Sequence, residues 1–348
     1  MRALMLVGGE GTRLRPLTLS QPKPALALVD RPFIRYLVDW VGRHGVDEVI
    51  MACGFKAEGL RRALGDSVPG GPSIVYLEED EPLGTAGPLR LAADRGLLDE
   101  RFLAINGDLL TDLDLSALQR SHEETGARTT LALHPVADPS SYGLVRRRRS
   151  GEVLGFLEKP DPAEIDTDEV SAGAYVIEPD VVDLIPPGRP VSIEREVFPR
   201  LVGNGLYGLR LDGYWMDIGT PERYLQASWD ILEGTVETEL DGAGGPYLGP
   251  GAEVSDDAAV AARAVVRAGS RVAEGAVVSE SVLLDDCRIG AGAEVHGSIL
   301  ARGVEVGEGA TIGAGSVIGE GARVESGAVV EPGARIAPGE VIEPEVAV

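Results

Sequence analysis

The chain has 348 residues, enough for two domains that each bury their own hydrophobic core. Its formal net charge of -24 argues against nucleic acid or an anionic membrane surface as a partner, and no apolar run is long enough to span a bilayer. The two cysteines provide no disulfide framework, so we expect a protein of the reducing cytoplasm.

A glycine-rich turn follows the first predicted strand. Residues 1–7 are mostly apolar, as is typical of a buried parallel strand. The turn presents backbone amides that can surround phosphate oxygens, and Arg13 and Lys23 add positive charge after it. It matches neither of the two common phosphate-binding motifs, and similar turns also join ordinary strands to helices. The candidate substrate-binding residues in this segment are Leu6, Gly8, Gly9, Gly11 and Thr12.

Short apolar runs alternate with helical patterns as far as about residue 135. Apolar residues at helical spacing between Phe33 and Val41, for example, predict an amphipathic helix. This alternation indicates a parallel sheet with helices on both faces, where ligands bind beyond the carboxyl ends of the strands. The predicted strands are Ala3–Val7, Glu48–Cys53, Ser73–Leu77, Arg101–Ile105 and Thr129–Leu133.

Two further strand ends carry candidate functional residues. Gly84 and Thr85 follow the third predicted strand, where the glycine permits close approach of a flat base or ribose and the threonine is suited to cap the next helix. Asp108 closes Asn106-Gly107-Asp108 after the fourth strand and is well placed for a metal, although this tripeptide is more often a simple turn.

The pattern changes after Pro135. A hairpin is predicted with Ser150-Gly151 in its turn, and the four arginines before that turn indicate a solvated tip in so acidic a protein. A helix is expected over Ser192–Leu201. Asp217 then precedes another helix, for which Thr220 is a good N-cap and Pro221 a good first residue.

Beyond residue 241, apolar residues recur every six positions. One row runs from Leu248 to Leu284 and a second from Val306 to Ile342. A hexapeptide period with intervening glycine and alanine is typical of a parallel β-helix, in which each coil stacks on its neighbour. The interruption at about residues 289–303 is either a loop or a shift of register between coils.

The motifs together resemble those of the sugar-1-phosphate nucleotidyltransferase family. The resemblance implies an α/β fold with a Rossmann-like mixed sheet over residues 1–241, followed by a left-handed parallel β-helix over residues 242–348. The matching segments, in chain order, are Gly8–Thr18, Pro22-Lys23-Pro24, Pro82–Leu89, Asn106-Gly107-Asp108, Glu158-Lys159-Pro160, Ser192–Pro199 and Tyr214–Pro221.

The resemblance implies that an NTP and a sugar 1-phosphate react to give an NDP-sugar and pyrophosphate. Arg13 and the glycine turn are then expected to hold the pyrophosphate, and Lys23 to neutralise charge near the α-phosphate. Asp108 and Asp217 are the expected ligands of Mg²⁺, which prefers oxygen donors. Three of the segments resemble the guanylyl versions more than the thymidylyl or adenylyl ones, which favours GTP and mannose 1-phosphate.

On the sugar side, the resemblance implies that Lys159 binds the sugar phosphate. Gly84 and Thr85 are expected to contact the base or ribose. The residues expected to line the sugar are Tyr142, Gly143, Glu158 and Gly173.

Several alternatives stay open. One is a thymidylyl-, uridylyl- or adenylyltransferase that acts on glucose 1-phosphate or another sugar 1-phosphate, and another is a non-catalytic regulatory subunit with the same fold. An acyl-transferring tail is disfavoured because the tail has no lysine and a single histidine, His296. We expect the tail to act as a surface for assembly into a homo-oligomer.

Overall fold

A computed structural model describes residues 1–54, 57–240 and 244–344. The chain forms two compact units. The first unit contains residues 1–9 and 37–215, and the second contains residues 10–36 and 216–348. The boundary expected between residues 241 and 242 lies outside the described residues, so the division into domains 1–241 and 242–348 stays a prediction.

The helices are short. Among the described residues, none has the length and apolar character that crossing a bilayer requires. The α-helices are α1 (Leu17–Ser20), α2 (Phe33–Arg43), α3 (Ala57–Leu64), α4 (Gly87–Asp94), α5 (Leu115–Thr125), α6 (Phe198–Leu201) and α7 (Pro221–Leu232). The strands before the tail are β1 (Arg2–Leu6), β2 (Ala27–Leu28), β3 (Arg31–Pro32), β4 (Glu48–Cys53), β5 (Ser73–Glu78), β6 (Phe102–Asn106), β7 (Leu109–Thr111), β8 (Thr129–Pro135), β9 (Gly143–Arg147), β10 (Val153–Glu158), β11 (Glu169–Ile177), β12 (Leu206–Arg210) and β13 (Trp215–Asp217).

The first unit is built on a mixed sheet of nine strands. Its main path runs β10-β9-β11-β6-β1-β4-β5, and β8 pairs with both β11 and β12. β1 is parallel to β4 and β6, which are almost wholly buried, as expected for central strands with both faces covered. β11 lies antiparallel between β6 and β8, so the fifth predicted strand joins the sheet through an antiparallel neighbour. The mixed sheet expected from the family resemblance is confirmed.

The hairpin and the helix after Ser192 are both present. β9 and β10 form the expected antiparallel hairpin, and Gly151 in its turn has a positive φ of 90°. The helix expected over Ser192–Leu201 is continuous over Ile193–Leu201, with Ser192 as its N-cap. Its first part, Ile193–Val197, is a wide π-helical turn that leads directly into α6.

The tail forms three parallel sheets of stacked short strands, as the hexapeptide period predicts. The sheet orders are β14-β17-β20-β23-β26-β29, β15-β18-β21-β24-β27-β30 and β16-β19-β22-β25-β28. These strands are β14 (Tyr247–Leu248), β15 (Glu253–Val254), β16 (Ala259–Val260), β17 (Val265–Val266), β18 (Arg271–Val272), β19 (Val277–Ser279), β20 (Val282–Leu283), β21 (Arg288–Ile289), β22 (Glu294–His296), β23 (Ile299–Leu300), β24 (Glu305–Val306), β25 (Thr311–Ile312), β26 (Val317–Ile318), β27 (Arg323–Val324), β28 (Val329–Val330), β29 (Arg335–Ile336) and β30 (Val341–Ile342).

The interruption of the hexapeptide period is a shift of register. The inward row steps by five residues instead of six from Val278 to Leu283, and again from Val295 to Leu300. Leu283, and not the expected Leu284, therefore pairs in register with Val266. The coils stack without a break through the region where the six-residue pattern fails.

The outward positions of two of these sheets differ. On the first sheet, which we call the docked face, the outward residues of the four middle strands are fully buried: Val265, Val282, Ile299 and Val317. On the second sheet, which we call the open face, the outward side chains are charged and largely exposed: Arg271, Arg288, Glu305 and Arg323. The same coil therefore presents an apolar row on one side and a charged row on another.

Helix α7 lies along the docked face. Glu233 at its C-terminal end contacts Arg263 at 2.6 Å, and Glu222 in its first turn lies 3.6 Å from Arg335 on the last strand of that sheet. Arg263 also stacks over the ring of Trp229 at 5.3 Å. The 12 residues of α7 span about 18 Å, close to the roughly 19 Å between β17 and β29. The contacts near its two ends therefore place α7 alongside the stack between β17 and β29.

Candidate active site

The start of the glycine turn and Asp108 lie at the same edge of the sheet. Gly107 donates its N–H to the carbonyl of Leu6, the last residue of β1, at 2.9 Å. Gly8 and Gly9 follow and are exposed, whereas Asp108 is half-buried. β1 and β6 are parallel neighbours, so their carboxyl ends bring these residues together as the sequence predicts.

The turn with Gly84 and Thr85 is attached to the segment after Pro190. Val191 donates its N–H to Leu83 O at 2.9 Å. The hydroxyl of Thr85 donates to Glu194 Oε2 at 2.8 Å and accepts from the N–H of Ile193 at 2.9 Å. The expectation that Thr85 caps the next helix is wrong, because α4 begins at Gly87 without a side-chain cap and the hydroxyl is engaged across the turn.

Glu79 joins this region, although its sequence context did not single it out. It directly follows β5, and its Oε2 accepts from the N–H of Leu83 at 3.0 Å. A Cβ on Gly8 would lie 3.2 Å from its Oε1, so the carboxylate stands between the glycine turn and the Gly84 turn. Burial raises the pKa of Glu79, and the bond from Leu83 opposes that shift. Its position after a strand end is the sequence signal that would have found it.

Gly143 and Glu158 pair across the β9–β10 hairpin. Burial raises the pKa of Glu158 and the charge of Glu194 raises it further, while Lys159 and Arg195 oppose the shift. Glu158 and Glu194 therefore face a common region. Oε2 of Glu194 already accepts from the hydroxyls of Thr85 and Ser192. A carboxylate such as that of Glu158 suits a polyol because it can accept from more than one hydroxyl.

Lys159 has an unusual backbone conformation. Its φ is 50°, in the left-handed region that residues other than glycine rarely adopt, and its N–H donates to Tyr142 O at 3.1 Å. Pro160 follows, and proline disfavours the right-handed helical region for the residue before it. The side chain is exposed. Strain of this kind concentrates at ligand-binding sites, which agrees with a role for Lys159 in binding.

Gly173 lies against Asn106 in the middle of this region. It has a φ of 73°, and a Cβ there would come within 2.8 Å of Asn106 Nδ2, so only glycine fits without a shift. Tyr175, two residues later on β11, is buried. Burial raises the pKa of its hydroxyl, and the charges of Glu194, Glu158 and Asp108 raise it further. The first unit thus brings its predicted sugar-side residues close to Asp108.

An aromatic group that the sequence analysis left without a role borders Tyr142. Trp215 packs edge-on against Tyr142, with ring centroids 5.2 Å apart, and its Nε1–H donates to Ala172 O at 2.8 Å. The ring centroid of His134 lies 5.8 Å from that of Trp215. Burial lowers the pKa of His134, which keeps its ring neutral near pH 7. Trp215 therefore contacts both the ring of Tyr142 and the backbone of Ala172, the residue before Gly173.

The second unit holds Gly11, Thr12, Arg13 and Lys23. The carbonyl of Gly11 accepts from Leu14 N at 3.0 Å and from the hydroxyl of Thr18 at 2.9 Å, and Thr12 begins an exposed helical turn. Arg13 lies against Gly219, where a Cβ would stand 2.7 Å from Nη2 of its guanidinium. Lys23 is only 9% exposed, which is unusual for a lysine.

Asp217 also belongs to the second unit. It is half-buried just before α7, and Arg223 approaches its Oδ2 at 3.4 Å and its backbone carbonyl at 3.2 Å. Thr220 caps the helix by accepting from Arg223 N at 3.4 Å, and Pro221 is the first helical residue, so both predictions are confirmed. The cap and the arginine fix the turn that carries Asp217.

The donor set suits a hard divalent cation that also binds the substrate. Within the described ranges, no group of three or more His, Cys, Asp or Glu side chains is arranged to hold a metal alone. Mg²⁺ in nucleotide enzymes usually takes one or two carboxylates and completes its shell with phosphate oxygens and water. Asp108 in the first unit and Asp217 in the second are each a carboxylate of this kind.

Family models match almost the whole chain. Residues 2–234 match the family described as nucleotidyl transferase, and residues 244–348 match the LbH domain of the EIF2B epsilon subunit, where LbH denotes a left-handed β-helix. The first match covers more than half of the chain, and the second accounts for the stacked coils of the tail.

Two similar proteins cover most of the chain. A mannose-1-phosphate guanylyltransferase of Mycobacterium tuberculosis is 40% identical over 278 residues, which is 79% of this chain and 75% of that protein. Mannose-1-phosphate guanylyltransferase 1 of Arabidopsis thaliana is 37% identical over 293 residues, covering 78% of this chain and 80% of the relative.

Solved structures agree on the fold. HddC from Yersinia pseudotuberculosis, crystallised with GMP-PN, is 25% identical with a TM-score of 0.56, covering 65% of this chain and 97% of that one. A structure described as a glucose-1-phosphate thymidylyltransferase of Bacillus anthracis has a TM-score of 0.60 at 23% identity and covers 66% of this chain and 94% of that one.

Proposed function

Because the chain belongs to the nucleotidyl transferase family, we propose that it transfers a guanylyl group from GTP to mannose 1-phosphate, giving GDP-mannose and pyrophosphate. The observation that carries this proposal is the similarity to relatives named mannose-1-phosphate guanylyltransferase over about three quarters of both chains. In these terms the chain most resembles a GDP-mannose pyrophosphorylase with a hexapeptide-repeat tail.

The reaction requires positioning and charge neutralisation rather than a protein nucleophile. A phosphate oxygen of mannose 1-phosphate attacks the α-phosphorus of GTP, a new P–O bond forms, and the bond to the departing pyrophosphate breaks in line with it. Lys23 neutralises charge at the α-phosphate, and its near-complete burial supports a charge held in one place. The pyrophosphate lies along Arg13 and the following residues: Leu6, Gly8, Gly9, Gly11 and Thr12.

On the sugar side, Lys159 binds the phosphate of mannose 1-phosphate. Glu158 accepts hydrogen bonds from sugar hydroxyls. The remaining residues that line the sugar are Tyr142, Gly143 and Gly173. Gly84 and the backbone of Thr85 contact the base or ribose, since the Thr85 hydroxyl is already bonded within the protein.

Asp108 and Asp217 are the proposed ligands of the divalent cation, which is Mg²⁺ in this proposal. When bound, Mg²⁺ shields the negative charge of the phosphates and polarises the α-phosphoryl group. Asp108 lies at the strand end beside Leu6, which supports its position near the phosphates. Asp217 is held in its turn by Arg223 and by the cap of α7.

The β-helix is proposed to join copies of the chain into a homo-oligomer. Its open face carries both arginine and glutamate, so a second copy could meet it with opposite charges. Light scattering that gives the mass of one chain at micromolar concentration would contradict this assembly. The cytoplasmic location expected from the cysteine count stays a prediction.

The proposed function is tested by measuring pyrophosphate release across a matrix of substrates. The purified chain with Mg²⁺ is assayed with five NTPs against mannose, glucose and other sugar 1-phosphates, and the nucleotide sugar is identified by mass spectrometry. We expect the highest kcat/KM with GTP and mannose 1-phosphate, and no turnover when the metal is chelated. The variant Asp108→Asn controls for contaminating enzymes.

The matrix separates the alternatives. A kcat/KM with UTP, dTTP or ATP that exceeds the GTP value more than about tenfold, roughly 1.4 kcal/mol, would replace the guanylyl assignment. A preference for glucose 1-phosphate would replace only the sugar. Tight GTP binding without turnover for any pair would favour the regulatory-subunit alternative.

A further inference from the structure

The short hairpin of β2 and β3, just after Lys23, has a strained turn. Ala27 pairs with Pro32 and Leu28 with Arg31, which leaves Val29 and Asp30 in the turn. Val29 is fully buried and has a φ of 55°, a conformation that β-branched residues strongly disfavour. A buried valine keeps this conformation only where its surroundings impose it. The contacts of the turn should therefore show what imposes it.

Three successive carbonyls of this turn accept side-chain hydrogen bonds from three different elements. Ala27 O accepts from the hydroxyl of Tyr224 on α7, and Leu28 O accepts from the hydroxyl of Tyr36 on α2 at 3.0 Å. Val29 O accepts from Nη1 of Arg267 at 2.6 Å. Arg267 belongs to the β-helix and lies 238 positions away in the chain. The tail thus bonds directly to the strained residue.

Arg267 is itself held in place. Its Nε donates to Asp285 Oδ1 at 2.9 Å, on the next coil of the β-helix. Its side chain is only 13% exposed, against 59% for Arg271 on the open face. An arginine bonded at one nitrogen to a carboxylate and at another to a carbonyl has little freedom to move. Arg267 is therefore a rigid connection between the β-helix and the hairpin.

Two backbone hydrogen bonds connect the β2–β3 hairpin to Lys23. Leu26 donates its N–H to Lys23 O at 3.1 Å, and Phe33 donates its N–H to Leu26 O at 2.8 Å. Lys23 packs against Gly11, where a Cβ would lie 3.1 Å from Lys23 Cβ. A displacement of the hairpin would therefore move the backbone that carries the Lys23 ammonium group.

We propose that Arg267 of the β-helix is a positioning residue for the transfer reaction: it fixes the Val29 turn and, through it, the location of Lys23. The proposal rests on the function proposed above, in which Lys23 acts on the α-phosphate. The tail then has a second role besides assembly, because it completes the support of a residue in the nucleotide-binding segment. No change in oligomeric state is required for this effect.

The test is a double-mutant cycle on the full-length chain. Arg267→Met keeps most of the side-chain volume but removes both hydrogen bonds, and it is combined with Lys23→Ala. We expect Arg267→Met alone to lower kcat about tenfold, with the KM for mannose 1-phosphate changed less than about twofold. In the Lys23→Ala background the same change should alter kcat less than about twofold, because a positioning effect disappears with the group it positions. Arg267→Lys should recover part of kcat.

Arg271→Met is the matched control, since it removes an arginine from the same coil on the open face, and its kcat should equal that of the wild type. A normal kcat for Arg267→Met, or an equal loss in both backgrounds, would overturn the proposal. Should Arg267→Met fail to fold, Asp285→Ala takes its place and must show a smaller loss that again vanishes without Lys23. A wild-type chain without nucleotidyl transfer would overturn the proposed function itself, whereas an active wild type with additive losses overturns only the role of Arg267.

Discussion

The two compact units hold their proposed site residues in different ways. In the first unit, Asp108 and Glu158 sit at or just beyond the ends of strands, so the register of the sheet sets their positions. In the second unit, Lys23 lies in a short helical turn and Asp217 ends the three-residue strand β13, and their supports are a helix cap, buried side-chain bonds and the coils of the β-helix. The first arrangement is encoded locally, whereas the second depends on contacts between distant parts of the chain.

Because of this difference, the β-helix has a structural role in the second unit. Its docked face buries an apolar row along α7, while its open face leaves a charged row in solvent. Apolar burial contributes roughly 25 cal/mol per Å², so the docked face stabilises the second unit far more than exposed ion pairs do. The unit that carries Lys23 and Asp217 should therefore be sensitive to changes in the coils.

The largest effect is expected from the two aspartates, one in each unit. Asp108→Asn and Asp217→Asn should each lower kcat by ~10³-fold or more, about 4 kcal/mol, because a cation ligand is lost at the phosphates. Steady-state assays over a Mg²⁺ titration measure this, with circular dichroism to verify folding. Asp212→Asn, at a side chain that is 93% exposed, should leave kcat unchanged. Near-normal turnover in either variant would remove that aspartate from the metal site.

The two motif lysines should differ in the kinetic constant that they affect. Lys23→Ala should lower kcat by about 10²–10³-fold, ~3–4 kcal/mol, because it removes a preorganised charge from the reacting phosphate. Lys159→Ala should instead raise the KM for mannose 1-phosphate by about 10- to 100-fold, the effect of one lost charge-assisted hydrogen bond. An unchanged KM in Lys159→Ala would exclude it from the sugar phosphate.

Substitutions on the two faces of the β-helix should differ in their effect on the free energy of unfolding. Ile299→Asp places a carboxylate in the docked face and should lower the free energy of unfolding by about 3 kcal/mol or more. Arg288→Ala, on the open face, should change it by less than about 0.5 kcal/mol. Urea denaturation followed by tryptophan fluorescence compares the two variants, and Trp229 on α7 reports on the docked face. Equal midpoints would show that the docked face does not support α7.

The smallest effect concerns pH. Burial and the charge of Glu194 raise the pKa of Glu158, so this carboxylate takes up its proton at a higher pH than an ordinary glutamate. kcat/KM for mannose 1-phosphate should therefore begin to fall at a correspondingly higher pH as the solution is acidified. Glu194→Gln removes one cause of the shift and should move that acidic limb to lower pH, while Glu158→Gln should abolish it. If the acidic limb of the kcat/KM profile is the same in the wild type, Glu194→Gln and Glu158→Gln, that limb reports titration of the substrate phosphate.

Much of the first unit could be predicted from the sequence because its signals are local. Strand ends and the start of the glycine turn follow from residue types over a few positions, and the five strands predicted before Pro135 each begin and end within about two residues of β1, β4, β5, β6 and β8. The helix over Ser192–Leu201 was predicted in extent but not in its π-helical first turn, and the Thr85 cap failed because a distant segment takes its hydroxyl.

What the sequence by itself determined is the pattern: strand and helix alternation, the motifs that identify the family, and the six-residue period that builds coils. What only the tertiary structure decided is which distant groups meet. Glu79 and Glu194 face the proposed ligand region, and Arg267 reaches Val29, without any local signal for these contacts. The reason is physical: propensity and periodicity act over a few residues, whereas burial and long-range hydrogen bonds depend on how whole elements pack.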